Sequence, residues 1–137
     1  MSVVADGDRE VVGAIGPGLC VLVGVTHDDT EAEARKLADK IWGLRVIDDD
    51  NGVMNVSIAE SGGEVLVVSQ FTLYGDTSGG RRPSWINAAR PEQAEPLVQA
   101  VVDRLRALGA VVATGRFRTE MQVSLINDGP VTLMLEI

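Results

Sequence analysis

Glu64 to Asp76 reads EVLVVSQFTLYGD, and the burial its first half demands decides the fold. Val65 to Val68 are apolar at four successive positions, so a strand through them wants cover on both faces, and its β-branched valines suit the pleat. Such a strand lies inside a domain, with a layer on either side. Directly after it come Ser69, Gln70, Phe71 and Thr72, then a Gly75-Asp76 turn. Two hydroxyls and an amide at the exit of a buried strand are not explained by packing, because buried polar groups cost free energy unless they find partners. A functional site at this strand end is the expectation.

Around that strand, 137 residues suffice for one domain, residues 1–137, with a core that needs no metal or disulfide. The hydrophobic fraction of 45% and charged fraction of 23% are those of a globular chain and exclude disorder. A net charge of −8 excludes the basic footprint of a protein that tracks a long nucleic-acid backbone, so any RNA contact is expected to be local. Cys20 is the only cysteine and sits in the apolar run Leu19 to Val23, which excludes an internal disulfide and fits a core residue in a reducing compartment. No apolar run approaches the about 20 residues of a membrane helix, and the N-terminus lacks a signal-peptide layout. The cytoplasm is the expected address, with no membrane partner.

Along the chain, Ser2 to Ala5 makes a short strand ended by Asp6-Gly7-Asp8. Val11 to Ile15 and Leu19 to Val25 flank Gly16-Pro17-Gly18 and read as a hairpin. Thr30 and Glu33 have capping-box spacing ahead of a helix whose Leu37, Ile41 and Leu44 share a face widened by Ala38 and Trp42. Asp48 to Gly52 has the wrong glycine position for a calcium loop and reads as a solvated turn, with Asn51-Gly52 favouring hairpin geometry. Val53 to Ile58 alternates as a half-exposed strand. Thr77 to Pro91 is loop-like and holds the densest positive charge, Arg81-Arg82, which reads either as two solvated arginines or as an anion contact. A second helix carries the stripe Leu97, Val98, Val101, Val102, Leu105 and Leu108, with Gly109 ending it. Ala110 to Thr114, Gln122 to Ile126 and Val131 to Ile137 read as strands. The fold class is therefore α+β, a largely antiparallel and barrel-like sheet core with two main helices.

One histidine and one cysteine in unrelated contexts give no metal centre, and the absence of GxxxxGK[ST] and GxGxxG leaves no seat for a nucleotide cofactor. No cofactor is expected. A Ser-His-Asp relay would have to use His27, which beside Asp28 and Asp29 reads as a surface histidine or, less simply, as a base. Two polar clusters remain, Ser69 to Thr72 and Asn127 to Thr132. The second, Asn127-Asp128-Gly129-Pro130, fits an ordinary β-turn when taken alone.

Together, SQFTL and, some way on, NDGPVT resemble the D-aminoacyl-tRNA deacylases, and the likeness extends through GAIGPGL, GVMNVSI, DTSGGRRPSW, Gly115-Arg116-Phe117 and MQVSLINDGPVTL. The resemblance implies the fold of that family and a homodimer with active sites at the subunit interface. Ser69, Gln70, Phe71 and Thr72 would be the catalytic set of one subunit. Asn127, Gly129, Pro130, Val131 and Thr132 of the other would form a chiral filter around a cis Gly129-Pro130 bond, whose carbonyls would face the pocket. The partner molecule would be the 3′ acceptor end of a tRNA carrying a D-amino acid or glycine, hydrolysed at its ester as translational proofreading. Arg81, Arg82, Arg116, Phe117 and Met121 are the residues expected to contact tRNA, with Arg118 a further candidate. The family usually opens with a longer first strand carrying a QRV-type segment, and here an arginine to brace the Gly-Pro loop has no counterpart. Arg118-Thr119 also stand where Gly-Ala is common.

A filter of backbone carbonyls can hold an α-ammonium and leave no room for an L side chain, so glycine passes. Thr72 has no recognisable base in the motif, which favours a ribose 2′-OH assisting a water over a covalent nucleophile, with N–H groups near Phe71 and Thr72 for the oxyanion. A silent tRNA-end binding module, an acyl hydrolase using Thr72, and a purely structural dimer are the alternatives.

Overall fold

The computed structural model describes residues 1–5, 10–129 and 131–137. The Asp6-Gly7-Asp8 turn and the Gly129-Pro130 bond therefore lie outside the described residues. In chain order the strands are β1 (Ser2–Ala5), β2 (Val11–Ala14), β3 (Gly18–Val23), β4 (Ile47–Asp48), β5 (Met54–Val56), β6 (Glu64–Ser69), β7 (Val112–Thr114) and β8 (Met121–Ser124). The helices are α1 (Glu31–Gly43), α2 (Ile58–Ser61) and α3 (Pro91–Ala107), and a 3-10 turn covers Phe71–Tyr74.

β6 is the middle of a three-stranded sheet ordered β3-β6-β7, with Val65 to Val68 buried throughout. Alternation along the strand sends Val65 and Val67 to one face, where they meet Ala38 and Ile41 of α1 and Val101, Val102 and Leu105 of α3. Leu66 and Val68 go to the other face, against Val3, Ile15, Met121 and Val123. A second sheet, ordered β2-β1-β8, supplies that opposite layer. Four apolar residues in a row are thus used on both faces, helices on one side and a sheet on the other.

The α+β class and the two long helices read from sequence are found, and antiparallel pairing builds two of the three sheets among the described residues. The sheet around β6 is parallel on both sides, Leu19 beside Val65 and Val67 beside Thr114. Its crossovers run through α1 and α3, as parallel neighbours require. The expected hairpin of Val11 to Ile15 with Leu19 to Val25 is corrected: β2 pairs with β1, whereas β3 pairs with β6. Gly16-Pro17-Gly18 carries the chain from one sheet to the other instead of reversing it within one. Two further readings change. Ile58 opens α2, capped by Ser57, whose Oγ accepts from the Glu60 N–H at 3.3 Å, so the half-exposed strand stops at Val56. Val131 to Ile137 forms no strand, because among the described residues its apolar alternation finds no ladder partner, although Leu135 reaches the helix-side core.

Local signals elsewhere act as their chemistry dictates. Asp49 Oδ1 accepts from the N–H groups of Asn51 and Val53 at 2.9 and 3.0 Å, closing the turn between β4 and β5 and holding the Asp49 carboxyl below its ordinary range. Arg104 of α3 donates to Asp39 of α1 at 2.8 Å, tying the helix pair at its solvent edge. Burial pushes the Cys20 thiol up, in keeping with a packed and protonated side chain.

The capping box at α1 is complete: Ala32 N–H donates to Thr30 Oγ1 at 3.3 Å, and Thr30 N–H donates to Glu33 Oε2 at 2.6 Å. The Thr30 side-chain and backbone bonds hold the Glu33 carboxyl below its ordinary value. A depressed carboxyl contributes stability that is present above its unfolded pKa and lost as pH falls through its folded one. Thr30→Ala is therefore expected to lower the melting temperature at neutral pH by about 3–5 °C and to shrink that deficit below the carboxylate range, read by circular dichroism melts across pH.

Candidate functional site

β6 ends at Ser69, and the chain turns at once into the Phe71–Tyr74 3-10 turn. Gln70 N–H donates to the Val23 carbonyl at 2.8 Å, so the turn starts from a fixed point on β3. Leu73 N–H then donates to Gln70 C=O at 3.2 Å and Gly75 N–H to Thr72 C=O at 3.0 Å. The N–H groups of Phe71 and Thr72 precede the turn's first internal bond, the position at which helical turns leave donors for other partners. Gly24 lies beneath: a Cβ there would stand 3.1 Å from Leu73 Cβ and 3.2 Å from Gln70 O, so the close approach of β3 to the turn leaves little room for a side chain.

Of the four side chains only those of Gln70 and Thr72 meet. Ser69 follows Val65 and Val67 in the alternation and lines a cleft of about 230 Å³ between β6, β7 and α3. Val67, Val98, Val102 and Phe117 give that cleft apolar walls, and Ser69, Glu95, Gln99 and Arg116 add polar groups to its lining. The Gln70 side-chain amide donates to Thr72 Oγ1. An amide N–H orients a hydroxyl but cannot take its proton, so among the described residues Thr72 has an orienting partner and no base. Phe71 is 52% exposed and meets Trp85 edge-on, with ring centroids 5.4 Å apart and planes at 74°. Burial, reinforced by Asp29 and Glu136, pushes the Tyr74 phenol up, so it stays protonated at neutral pH.

Residues 77–83 leave and return through a bridge in which Asp76 and Ser84 exchange N–H to O=C bonds of 2.8 Å each. Asp76 also accepts from Ser78 N–H at 2.9 Å and Ser78 Oγ at 2.6 Å, bonds that hold its carboxyl below the ordinary range. Arg81 and Arg82 are exposed on this excursion, a few residues from the site. The other residues expected to contact tRNA are divided. Arg116 is exposed, and its N–H donates to Met121 Sδ at 3.4 Å. Phe117 is partly buried against Val25, Ala89 and Ala94, and Met121 against the sheet-side core. Arg118 adopts φ = +61°, a left-handed conformation uncommon for a residue with a side chain.

The second cluster stands apart in a single chain. Asn127 Nδ2 donates to Thr132 Oγ1 at 3.1 Å, pinching the loop that holds Gly129, and Asp128 N–H donates to Ile126 C=O at 3.1 Å. Among the described residues no hydrogen bond joins this loop to Ser69, Gln70, Phe71 or Thr72. His27 does not face Thr72 in a relay; its Nε2 meets the Ile86 carbonyl at 2.5 Å. Three participants escaped sequence reading: Trp85, and Glu95 and Gln99 of α3. Glu95 and Gln99 share a helix face at i and i+4, a spacing visible in the sequence but uninformative until β6 is known to pass beside it.

A profile of the family described as D-Tyr-tRNA(Tyr) deacylase matches residues 2–136. A D-aminoacyl-tRNA deacylase of Symbiobacterium thermophilum is 62% identical over 127 residues, 93% of this chain and 84% of its own length. A Bacillus subtilis protein named an inactive D-aminoacyl-tRNA deacylase is 57% identical over 129 residues, 94% of this chain and 98% of its own. Among solved structures, a c-Myc DNA unwinding element binding protein superposes with a TM-score of 0.91 at 38% identity, covering 99% of this chain and 91% of that one.

Proposed function

The chain belongs to the D-Tyr-tRNA(Tyr) deacylase family, and on that premise we propose that it hydrolyses the ester linking a D-amino acid or glycine to the 3′-terminal adenosine of tRNA. The observation that carries the mechanism is the hydrogen bond from the Gln70 amide to Thr72 Oγ1. A site that orients its hydroxyl without a base does not generate a covalent nucleophile. The proton relay then comes from the substrate: the ribose 2′-OH next to the ester orients the attacking water, takes its proton and passes its own to the departing 3′ oxygen, so acid and alcohol leave with no proton unaccounted for. The Phe71 and Thr72 N–H groups receive the developing oxyanion, and Ser69 and Gln70 position the terminal nucleotide beside the cleft.

Chirality is read by exclusion. Gly129 and Pro130, supported by Asn127, Val131 and Thr132, reach across from a second copy and set carbonyls where an L side chain would go. A dimer is supported by what one chain leaves in water: Ile126 and Met134 are 86% and 79% exposed, and Leu133 is 57% exposed, all flanking the loop that would cross. Arg81, Arg82 and Arg116 supply local positive charge for acceptor-end phosphates on an acidic protein.

Release of D-tyrosine from D-Tyr-tRNA by the wild type and by Thr72→Ala tests the mechanism. Thr72→Ala is expected to keep turnover within about tenfold, the loss of one orienting hydrogen bond. A fall of several orders of magnitude would instead make the hydroxyl the nucleophile. A second reading, a catalytically silent module that binds tRNA ends, is favoured by the relative named as inactive. Tight acceptor-end binding without any release of D-tyrosine would select it.

A further inference from the structure

Residues 84–89 are pinned at both ends, and the middle of that segment leans on the candidate site. At the first end, Ser84 bonds Asp76 in both directions. At the other, Ala89 N–H donates to Val25 C=O at 2.9 Å, Thr26 Oγ1 donates to Asn87 C=O at 2.6 Å, and His27 Nε2 meets Ile86 C=O. The loop that makes these bonds is itself gathered by Gln93, whose amide lies 3.3, 2.8 and 3.1 Å from the carbonyls of Thr26, His27 and Asp29. A segment held this way has little freedom to slide.

Trp85 sits between the two anchors. It meets the Phe71 ring edge-to-face, and a Cβ at Gly75 would stand 2.5 Å from Trp85 Cζ3, so the indole lies against the backbone that closes the 3-10 turn. Gly24 lies close under the same turn, against Leu73 and Gln70. Trp85 is nonetheless 44% exposed, so core burial does not account for its place.

We propose that Trp85 is a positioning residue: clamped by Asp76 on one side and by the Gln93-gathered loop on the other, it fixes Phe71–Tyr74 so that the N–H groups of Phe71 and Thr72 keep one orientation. The catalytic part of this proposal rests on the deacylase reading above, while the clamp itself does not. An edge-to-face aromatic pair contributes enough to change a rate severalfold when it is realised in the transition state.

Two measurements on the full-length protein test it. In Trp85→Ala, kcat for D-Tyr-tRNA is expected to fall about 3- to 10-fold with KM within about twofold, and Trp85→Phe, which keeps a ring edge, to recover most of the loss. In parallel, hydrogen exchange at the Leu73 and Gly75 amides should quicken in Trp85→Ala while Val67 stays protected. Where the alanine variant does not fold, Trp85→Leu keeps apolar bulk without an aromatic edge and should show the same pattern. Unchanged exchange at Leu73 and Gly75, or faster exchange with wild-type kcat, overturns the proposal. If the wild type itself releases no D-tyrosine, the deacylase reading fails, and the exchange data still decide whether Trp85 holds the turn.

Discussion

Replacing the 2′-hydroxyl of the terminal adenosine by hydrogen, with the D-tyrosyl ester on the 3′ oxygen, is expected to lower turnover by about 10²–10⁴-fold, the range of general acid–base assistance. Binding should change much less, within about tenfold, because one neutral hydrogen bond contributes only about 0.5–1.5 kcal/mol net. The asymmetry follows from the site. Ser69, Gln70 and Thr72 carry no group that accepts a proton at neutral pH, and His27 is turned toward Ile86. If the chain orients and the RNA activates, removing the RNA's hydroxyl removes the reaction and leaves the complex. Single-turnover rates and equilibrium binding on the same deoxy substrate separate the two effects. Unchanged turnover would return the base to the protein.

Leu105→Ala carries the largest expected effect on stability. Leu105 is fully buried where α3 meets α1 and the Val65 and Val67 face of β6. Truncating such a side chain loses its transfer free energy and leaves a cavity, together about 2–5 kcal/mol. That is a large share of the about 5–15 kcal/mol that holds a typical domain. Urea denaturation at fixed protein concentration should show a lower midpoint with an unchanged slope, since the unfolded surface is the same. The effect should reach the site as well, because Val67 and Val102 line both this core and the cleft beside Ser69.

What the sequence disclosed and what it hid divide along one physical line. Signals that act within a few residues were legible: the Thr30 and Glu33 box, the α3 stripe ended by Gly109, the Asp49 turn, and the four-residue apolar run of β6. Partners were not. Val11 to Ala14 and Gly18 to Val23 each have strand character, but nothing local says that one joins an antiparallel sheet and the other a parallel one. Val131 to Ile137 shows the converse, a strand pattern without a ladder. Ser57 and Glu60 have the spacing of the box at α1 and were hidden by the alternation just before them.

The candidate site divides in the same way. Ser69 to Thr72 and Asn127 to Thr132 stand out because polar groups at strand ends need explaining, and their pairing came through a resemblance, not through spacing. Trp85 gave no such signal. It lies in a loop rich in glycine and arginine, and anchors distant in sequence, the Asp76–Ser84 bridge among them, bring its ring onto Phe71.

Chirality is the centre of the account, and parallel deacylation of D-Tyr-tRNA, Gly-tRNA and L-Tyr-tRNA by the same purified protein tests it most directly. A filter that works by excluding an L side chain predicts release of D-tyrosine and glycine with L-tyrosine spared. Equal rates for the two tyrosyl enantiomers would contradict it.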